Sequence, residues 1–356
     1  MIGPFTYVAR PMRTLFGAGH LAELGTELGR LGIRRALILS TPHQAGLAQS
    51  VQQQFGELTC GIYAKATMHT PVEVTAEALE QLRALDADGL VALGGGSTIG
   101  LGKALAWRTD LPQVAIPTTY AGSETTPILG ETEHGRKTTL RSDKVLPETV
   151  IYDVNLTLSM PAGLSATSGI NALAHAVEAL YANDGNPVVS LMAEEGIAAL
   201  SRSLPRIVAD PTSDWNARSD AQYGAWLCGT CLGAVAMGLH HKICHVLGGT
   251  FGLPHAETHT VMLPHVAAYN ASFAPGAMSR IARALRVQDA VSGLFALNAS
   301  LSVPVALRDL GMPDSGIRQA VDLIMRDQYA NPRPPEHAAL VEMLRRAWVG
   351  KPPVPD

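Results

Sequence analysis

Residues 89–100 read GLVALGGGSTIG, and this stretch decides the fold of the 356-residue chain. Gly89–Leu93 is an apolar run of strand length, too short for a helix of its own. Gly94, Gly95 and Gly96 follow, and then Ser97, a residue type suited to a helix N-cap. From Thr98 to Trp107 apolar residues return at helical spacing. A strand passing through glycines into a helix turns backbone amides and the positive helix end toward a bound phosphate. An ordinary strand-to-helix turn needs fewer than three successive glycines. Gly94, Gly95, Gly96 and Ser97 are therefore candidate contacts to the pyrophosphate of a dinucleotide.

Working outward, Ala36–Leu39, Val114–Ile116 and Val150–Tyr152 are further short apolar runs bounded by turn residues. Stretches with helical spacing lie between them, at Leu21–Leu31 and Val72–Leu85. Buried strands alternating with helices predict a doubly wound α/β domain on a parallel sheet. After Asp153 the pattern changes to Ala/Leu-rich helices, at Leu164–Ala182, Pro187–Leu200 and Asp214–Leu239. The expectation is an α/β dinucleotide domain over residues 1–155 and an all-helical catalytic domain over 156–356.

A second glycine motif, Gly17-Ala18-Gly19-His20-Leu21-Ala22, fits the G-x-G-x-x-A fingerprint but sits in poor context, and it reads as a tight turn. The strand Ala36–Leu39 ends in Ser40-Thr41, where an acid would meet the ribose hydroxyls of NAD. Ser40 is a candidate cofactor contact. Without a carboxylate beside it, a 2′-phosphate is not repelled, so both NADH and NADPH are expected to bind.

The bulk numbers bound the function. The chain is 47% apolar and 16% charged, with a net charge of -4 and no long basic run. Nothing favours nucleic acid or an anionic membrane as partner. No signal-peptide layout and no membrane-length apolar segment is present, so a cytoplasmic location is expected. Cys60, Cys228, Cys231 and Cys244 form no disulfide framework, and Cys228-Gly-Thr-Cys231 reads as helix packing.

The chemistry concentrates in GLHHKICHVLGGTFGLPHAETHTVMLPH, residues 238–265. His241 and His245 share a helix face. His255 would lie roughly 21 Å from His241 on one straight helix. A break at Gly248-Gly249 and Pro254 is expected to fold it back. Upstream, Asn171 and His175 form another pair four apart. Several buried imidazoles would carry a large desolvation cost without a use. His240, His259 and His265 read as structural.

Together the Gly94–Ser97 loop with Lys103, IPTTYAGSE (116–124), GINALAHAVEAL (169–180) and the 238–255 block resemble the iron-containing alcohol dehydrogenase family, in order and over nearly the whole chain. The resemblance implies a dehydroquinate-synthase-like fold, a nicotinamide cofactor and commonly a homodimer. It adds Thr118, Thr119, Ser123 and Lys137 to the cofactor contacts. It also places that family's metal positions on Asn171, His175, His241 and His255.

The departures narrow the reading. The metal-binding aspartate is Asn171, and the acid after the glycine loop is Gly100. With LPETVIYD (146–153) and NPRP (331–334), these resemble a branch that reduces the carbon–carbon double bond of 2-maleylacetate, giving 3-oxoadipate in aromatic-compound breakdown. A double bond conjugated to a ketone needs hydrogen-bond donors for the developing enolate more than a metal. The site is therefore expected to hold no metal. His175, His241, His245, His255 and Lys242 are the catalytic candidates. Asn171, Lys242 and Arg333 are the candidate contacts for a small dicarboxylate. Two alternatives stay open: a metal-dependent primary alcohol dehydrogenase, and an NAD-using lyase of the dehydroquinate synthase type.

Overall fold

The computed structural model describes residues 3–133, 136–326 and 329–354, with the side chains of Arg136 and Lys137 outside the description. Two compact units divide the chain: Ala9–Ser159, and Met160–Asp356 together with Met1–Val8.

In the first unit the elements run β1 (Arg13–Phe16), α1 (Leu24–Arg30), β2 (Ala36–Leu39), α2 (Ala45–Gln54), β3 (Thr59–Tyr63), α3 (Val72–Ala84), β4 (Gly89–Gly94), α4 (Gly96–Thr109), β5 (Gln113–Pro117), β6 (Ile128–Glu133), β7 (Arg136–Arg141) and β8 (Thr149–Tyr152). Six strands form one sheet in the order β1-β8-β5-β4-β2-β3, and every pair is parallel. β2, β4, β5 and β8 are buried along their whole length. Both faces are covered by helices, which is why these strands are continuous apolar runs rather than alternating ones. One face packs Leu24, Leu28, Val51 and Ile116, the other Leu82, Leu101 and Leu105. Each such side chain contributes about 1.5–3 kcal/mol by leaving water.

β3 and the antiparallel hairpin β6–β7 carry no apolar signal of that strength, and they go beyond the sequence expectation. The Gly17–Ala22 motif is a turn. Gly17 and Gly19 have φ of 146° and 79°, and the Gly19 and Leu21 amides donate to the Asp153 carboxylate.

The second unit is helical: α5 (Ala162–Leu180), α6 (Pro187–Ala209), α7 (Trp215–Ala234), α8 (Leu239–Phe251), α9 (His255–Asn270), α10 (Pro275–Leu285), α11 (Ala290–Ser300), α12 (Gly316–Arg326) and α13 (His337–Val349). Asn186 and Asp214 cap α6 and α7 through their side chains. The expected single helix Asp214–Leu239 is two helices, because the chain leaves helical geometry at Val235 and restarts after Gly238. The expected break at Gly248-Gly249 falls later. Both glycines lie within α8, which ends at Gly252 in the left-handed region with φ 67°, and Pro254 precedes α9.

Candidate active site

In the first unit β2, β4 and β5 are neighbours, and their C-terminal ends bring together Ser40, Gly94–Ser97, Thr118 and Thr119. The chain leaves β2 toward one sheet edge and β4 toward the other, so this is the crevice where open α/β sheets bind ligands. Gly95 occupies the cap position of α4, and Ser97 lies inside the first turn rather than capping it.

The glycines also have packing reasons. A Cβ on Gly94 would lie 2.4 Å from Thr98 Oγ1 and 2.9 Å from Gln44 Oε1, and one on Gly95 would lie 2.9 Å from Thr119 Cγ2. On Gly96 it would meet only the Ala121 methyl at 3.7 Å, so room there is open to a ligand. Gln44 donates from Nε2 to Thr118 Oγ1 at 2.8 Å and walls the loop on its β2 side, a contact absent from the sequence reading. Ser40 is fully buried, with its hydroxyl on the Thr41 carbonyl.

Lys103 on α4 is also fully buried. Its ammonium donates to the carbonyls of Ser123 (2.5 Å), Thr126 (2.7 Å) and Ile128 (3.0 Å) and to Thr126 Oγ1 (2.9 Å), fixing the segment that carries Ser123. Burial draws its pKa down to about 7, with Glu124 pulling the other way. The Lys137 backbone pairs with Thr132 in β7, and its side chain lies outside the described residues.

In the second unit α5, α8 and α9 assemble six imidazoles. Ring centroids are 5.1 Å apart for His175 and His241, 6.1 Å for His241 and His245, and 6.3 Å for the stacked His245 and His255. His259, read from sequence as structural, lies inside the cluster, 4.4 Å from His255 and 4.9 Å from His241. His240 joins it with Nε2 on His259 Nδ1 at 2.9 Å. His265 stands apart, lining a small cavity with Tyr269 and Arg346.

The cluster is graded in depth. His175, His240, His241 and His259 are buried, His255 is half-buried and His245 is exposed. Burial, reinforced by the neighbouring rings, holds the pKa of His175 and His259 well below the ordinary histidine value. In both, burial favours the neutral ring. Cys244 lies against this group, and its donor atom falls within 4.8 Å of those of His240 and His259. The direct His240–His259 bond closes that trio on itself.

Asn171 lies one turn before His175 on α5, buried, with no hydrogen-bond partner for Oδ1 among the described residues. His175 Nδ1 and His241 Nε2 are likewise buried without partners. His241 Nδ1 meets Glu178 Oε2 at 2.5 Å. Glu178 fits no catalytic or metal-binding motif of the sequence, and its one signal there is that it is the only acidic residue of α5. An imidazole held by a carboxylate on one nitrogen and unpartnered on the other is how a ring is oriented toward a metal or a substrate. The imidazoles thus fit a divalent cation. Asn171 brings a neutral amide where a carboxylate would add charge, which weakens such a site.

Lys242 is half-buried on α8, about 100° round the helix from His241. Arg333 packs on aromatic rings. Its guanidinium lies 4.2 Å over the Tyr269 ring and 5.8 Å from that of Phe273, and the Arg333 carbonyl accepts from Asn331. Cys228 and Cys231 are buried and free. Desolvation pushes both thiols up, Cys231 to about 12, which fits packing rather than redox chemistry.

A glycine cradle at the ends of parallel strands, with a separate imidazole cluster on helices, defines a dehydrogenase-type oxidoreductase, and comparison agrees. Residues 11–154 match the iron-containing alcohol dehydrogenase model, and residues 165–348 match the C-terminal model of the same family. The chain belongs to the iron-containing alcohol dehydrogenase family and is an oxidoreductase using a nicotinamide cofactor. It is 54% identical to a maleylacetate reductase of Sphingobium indicum over 350 residues, covering 98% of this chain and 99% of that protein. It is 52% identical to a maleylacetate reductase of a Rhizobium species, covering 98% and 99%. The crystal structure of a maleylacetate reductase from Agrobacterium tumefaciens superposes with a TM-score of 0.96 at 51% identity, covering 99% of this chain and 100% of that one.

Proposed function

We propose that this enzyme reduces the carbon–carbon double bond of 2-maleylacetate with NADH or NADPH, giving 3-oxoadipate. Full-length likeness to maleylacetate reductases supports the substrate. The observation that carries the chemistry is Asn171, a buried amide among imidazoles where the family places a carboxylate.

Hydride from the nicotinamide adds to the alkene carbon distal to the ketone. The alkene electron pair shifts to form the carbon–carbon double bond of an enolate while the carbonyl π pair moves onto the ketone oxygen, and a proton then joins the carbon beside the ketone as the carbonyl re-forms. Oxidised cofactor and 3-oxoadipate leave. Hydrogen-bond donors at the enolate oxygen typically contribute a few kcal/mol each. His241 has its Nδ1 committed to the Glu178 carboxylate, so Nε2 is the ring atom offered to substrate, and it donates to the enolate oxygen in the imidazolium form, in which both ring nitrogens are donors. His245 and His255 lie on the outer side of the cluster, and to them we assign delivery of that proton. Lys242 supplies positive charge for the dicarboxylate, and Asn171 an amide contact.

A divalent cation, when bound by His175, His241, His255 and Asn171, would polarise a carbonyl as a Lewis acid. Reduction of a conjugated alkene proceeds here without needing one. In the cofactor half, Ser40, Gly94–Ser97, Thr118, Thr119, Ser123 and Lys137 take the dinucleotide, and Arg333, stacked on Tyr269, is the second candidate for a substrate carboxylate. We read the enzyme as a cytoplasmic homodimer. Free buried thiols suit a reducing compartment, and the exposed Phe5, Tyr7 and Val8 offer an apolar segment for self-association. No helix among the described residues is long and apolar enough to cross a membrane.

Reduction with deuterium-labelled NADH tests the reaction. The label is expected on the carbon of 3-oxoadipate distal to the ketone. Label on a carbinol carbon would mean carbonyl reduction, and substrate consumed with no net cofactor oxidation would mean a lyase.

A further inference from the structure

Glu178 is 1% exposed, on the same face of α5 as Asn171 and His175. Its Oε1 accepts from the His240 amide at 2.8 Å, and its Oε2 lies 3.4 Å from the His241 amide and 2.5 Å from His241 Nδ1. The residue at the cap position of α8, Gly238, has no side chain with which to cap. Glu178 and Asn331 do it from elsewhere, Asn331 through Oδ1 on the Leu239 amide at 3.4 Å. A side chain at Gly238 would be crowded. A Cβ there would lie 3.1 Å from the Ala330 carbonyl and 3.2 Å from Glu178 Oε1. One carboxylate thus seats the helix bearing His241, Lys242 and His245 onto the helix bearing Asn171 and His175.

We infer that Glu178 is the positioning residue of the reductase site, holding the His241 ring by Nδ1 so that Nε2 faces the substrate. The inference rests on the proposed function for its substrate. A helix cap alone would need only an oxygen acceptor for the His240 amide, whereas Glu178 spends its second oxygen on the ring. Its position adds a means of testing it. Glu178 also borders a cavity of about 610 Å³ in the same unit, lined with Tyr181, Gly238, Phe273 and Asn331. Removing the carboxylate leaves a space that a small carboxylate can reach from that cavity.

The test compares Glu178→Ala and Glu178→Gln in the full-length enzyme. Glu178→Gln keeps an oxygen for the His240 amide but sets its NH₂ against His241 Nδ1. The expected result is a kcat loss of about 10–100-fold in both, as for other residues that orient a functional imidazole, with the KM for NADH unchanged. Formate is expected to restore part of the kcat of Glu178→Ala and none of that of Glu178→Gln. A Glu178→Gln enzyme with wild-type kcat overturns the inference, and so does a folded Glu178→Ala enzyme that gains nothing from formate. If Glu178→Ala does not fold, Glu178→Gln decides. Should wild-type enzyme not turn over 2-maleylacetate, the proposed function fails, and ¹⁵N shifts of the His241 ring still decide the positioning. They are expected to change in Glu178→Gln, and unchanged shifts overturn it.

Discussion

Thr70 stands so close to Gly100 that a Cβ at position 100 would lie 2.4 Å from Thr70 Oγ1. Thr70 is buried and holds φ 46°, a left-handed conformation that β-branched residues rarely adopt, and its carbonyl accepts the Thr132 amide. The family's acid after the glycine loop has no room here. Gly100→Asp is expected to destabilise the protein by about 1–3 kcal/mol through overpacking, and Thr70→Gly added to it to recover most of the loss. Urea unfolding of the single and double variants checks this. A Gly100→Asp protein as stable as wild type would show that Thr70 yields freely.

The glycine loop separates packing from ligand binding. Gly94→Ala meets Thr98 and Gln44 at φ 155° and is expected to lower the melting temperature. Gly96→Ala has open space and sits in the first turn of α4, so stability should hold or rise by up to about 1 kcal/mol. Its NADH affinity should fall, because the methyl occupies the face kept clear for the pyrophosphate. Fluorescence titration with NADH reads the difference. Wild-type affinity in Gly96→Ala would remove the loop from the phosphate site.

Buried imidazoles set the acid limit of stability. Burial holds His265 at about 4, with Arg346 adding to the effect, and His240 at about 3. Both folded values lie below the ordinary value near 6.5 of an unfolded chain. Between about pH 4 and 6.5 the unfolded chain therefore binds more protons, and stability falls as pH drops through that window. Each such ring contributes a slope of at most about 1.4 kcal/mol per pH unit, approached in the middle of the window. His265→Gln, far from the imidazole cluster, should flatten the slope by one proton without changing kcat. An unaltered slope in denaturant unfolding from pH 4.5 to 6.5 would contradict the assignment.

Much of the first unit was legible because its central strands are buried on both faces. Ala36–Leu39 needed no more than its apolar run, and Gly89–Leu93 announced both a strand and the loop after it. β3 escaped because Cys60 and Gly61 carry little strand signal, and β6–β7 because a polar hairpin leaves no core pattern. In the helical unit the cluster was foreseen from spacing, but its membership was not. His240 and His259 read as structural in the sequence because one-dimensional spacing does not show which faces of α8 and α9 meet. Gln44 and Glu178 act through contacts 74 and 63 residues away in sequence, beyond any local motif.

Asn171→Asp tests the metal argument from the other side. Restoring a carboxylate beside His175 and His241 adds an anionic ligand, so Zn²⁺ or Fe²⁺ should bind more tightly than to wild type in calorimetric titration after chelator treatment. Equal affinity in the two proteins would mean that position 171 does not face the cation.

The most direct measurement mixes EDTA-treated enzyme with NADH or NADPH and freshly generated 2-maleylacetate, following the reduced-nicotinamide absorbance. Rapid oxidation with either cofactor, without added metal, is the expected result. Oxidation that appears only after Fe²⁺ or Zn²⁺ is restored, and then with simple aldehydes rather than 2-maleylacetate, would contradict it and leave a metal-dependent alcohol dehydrogenase.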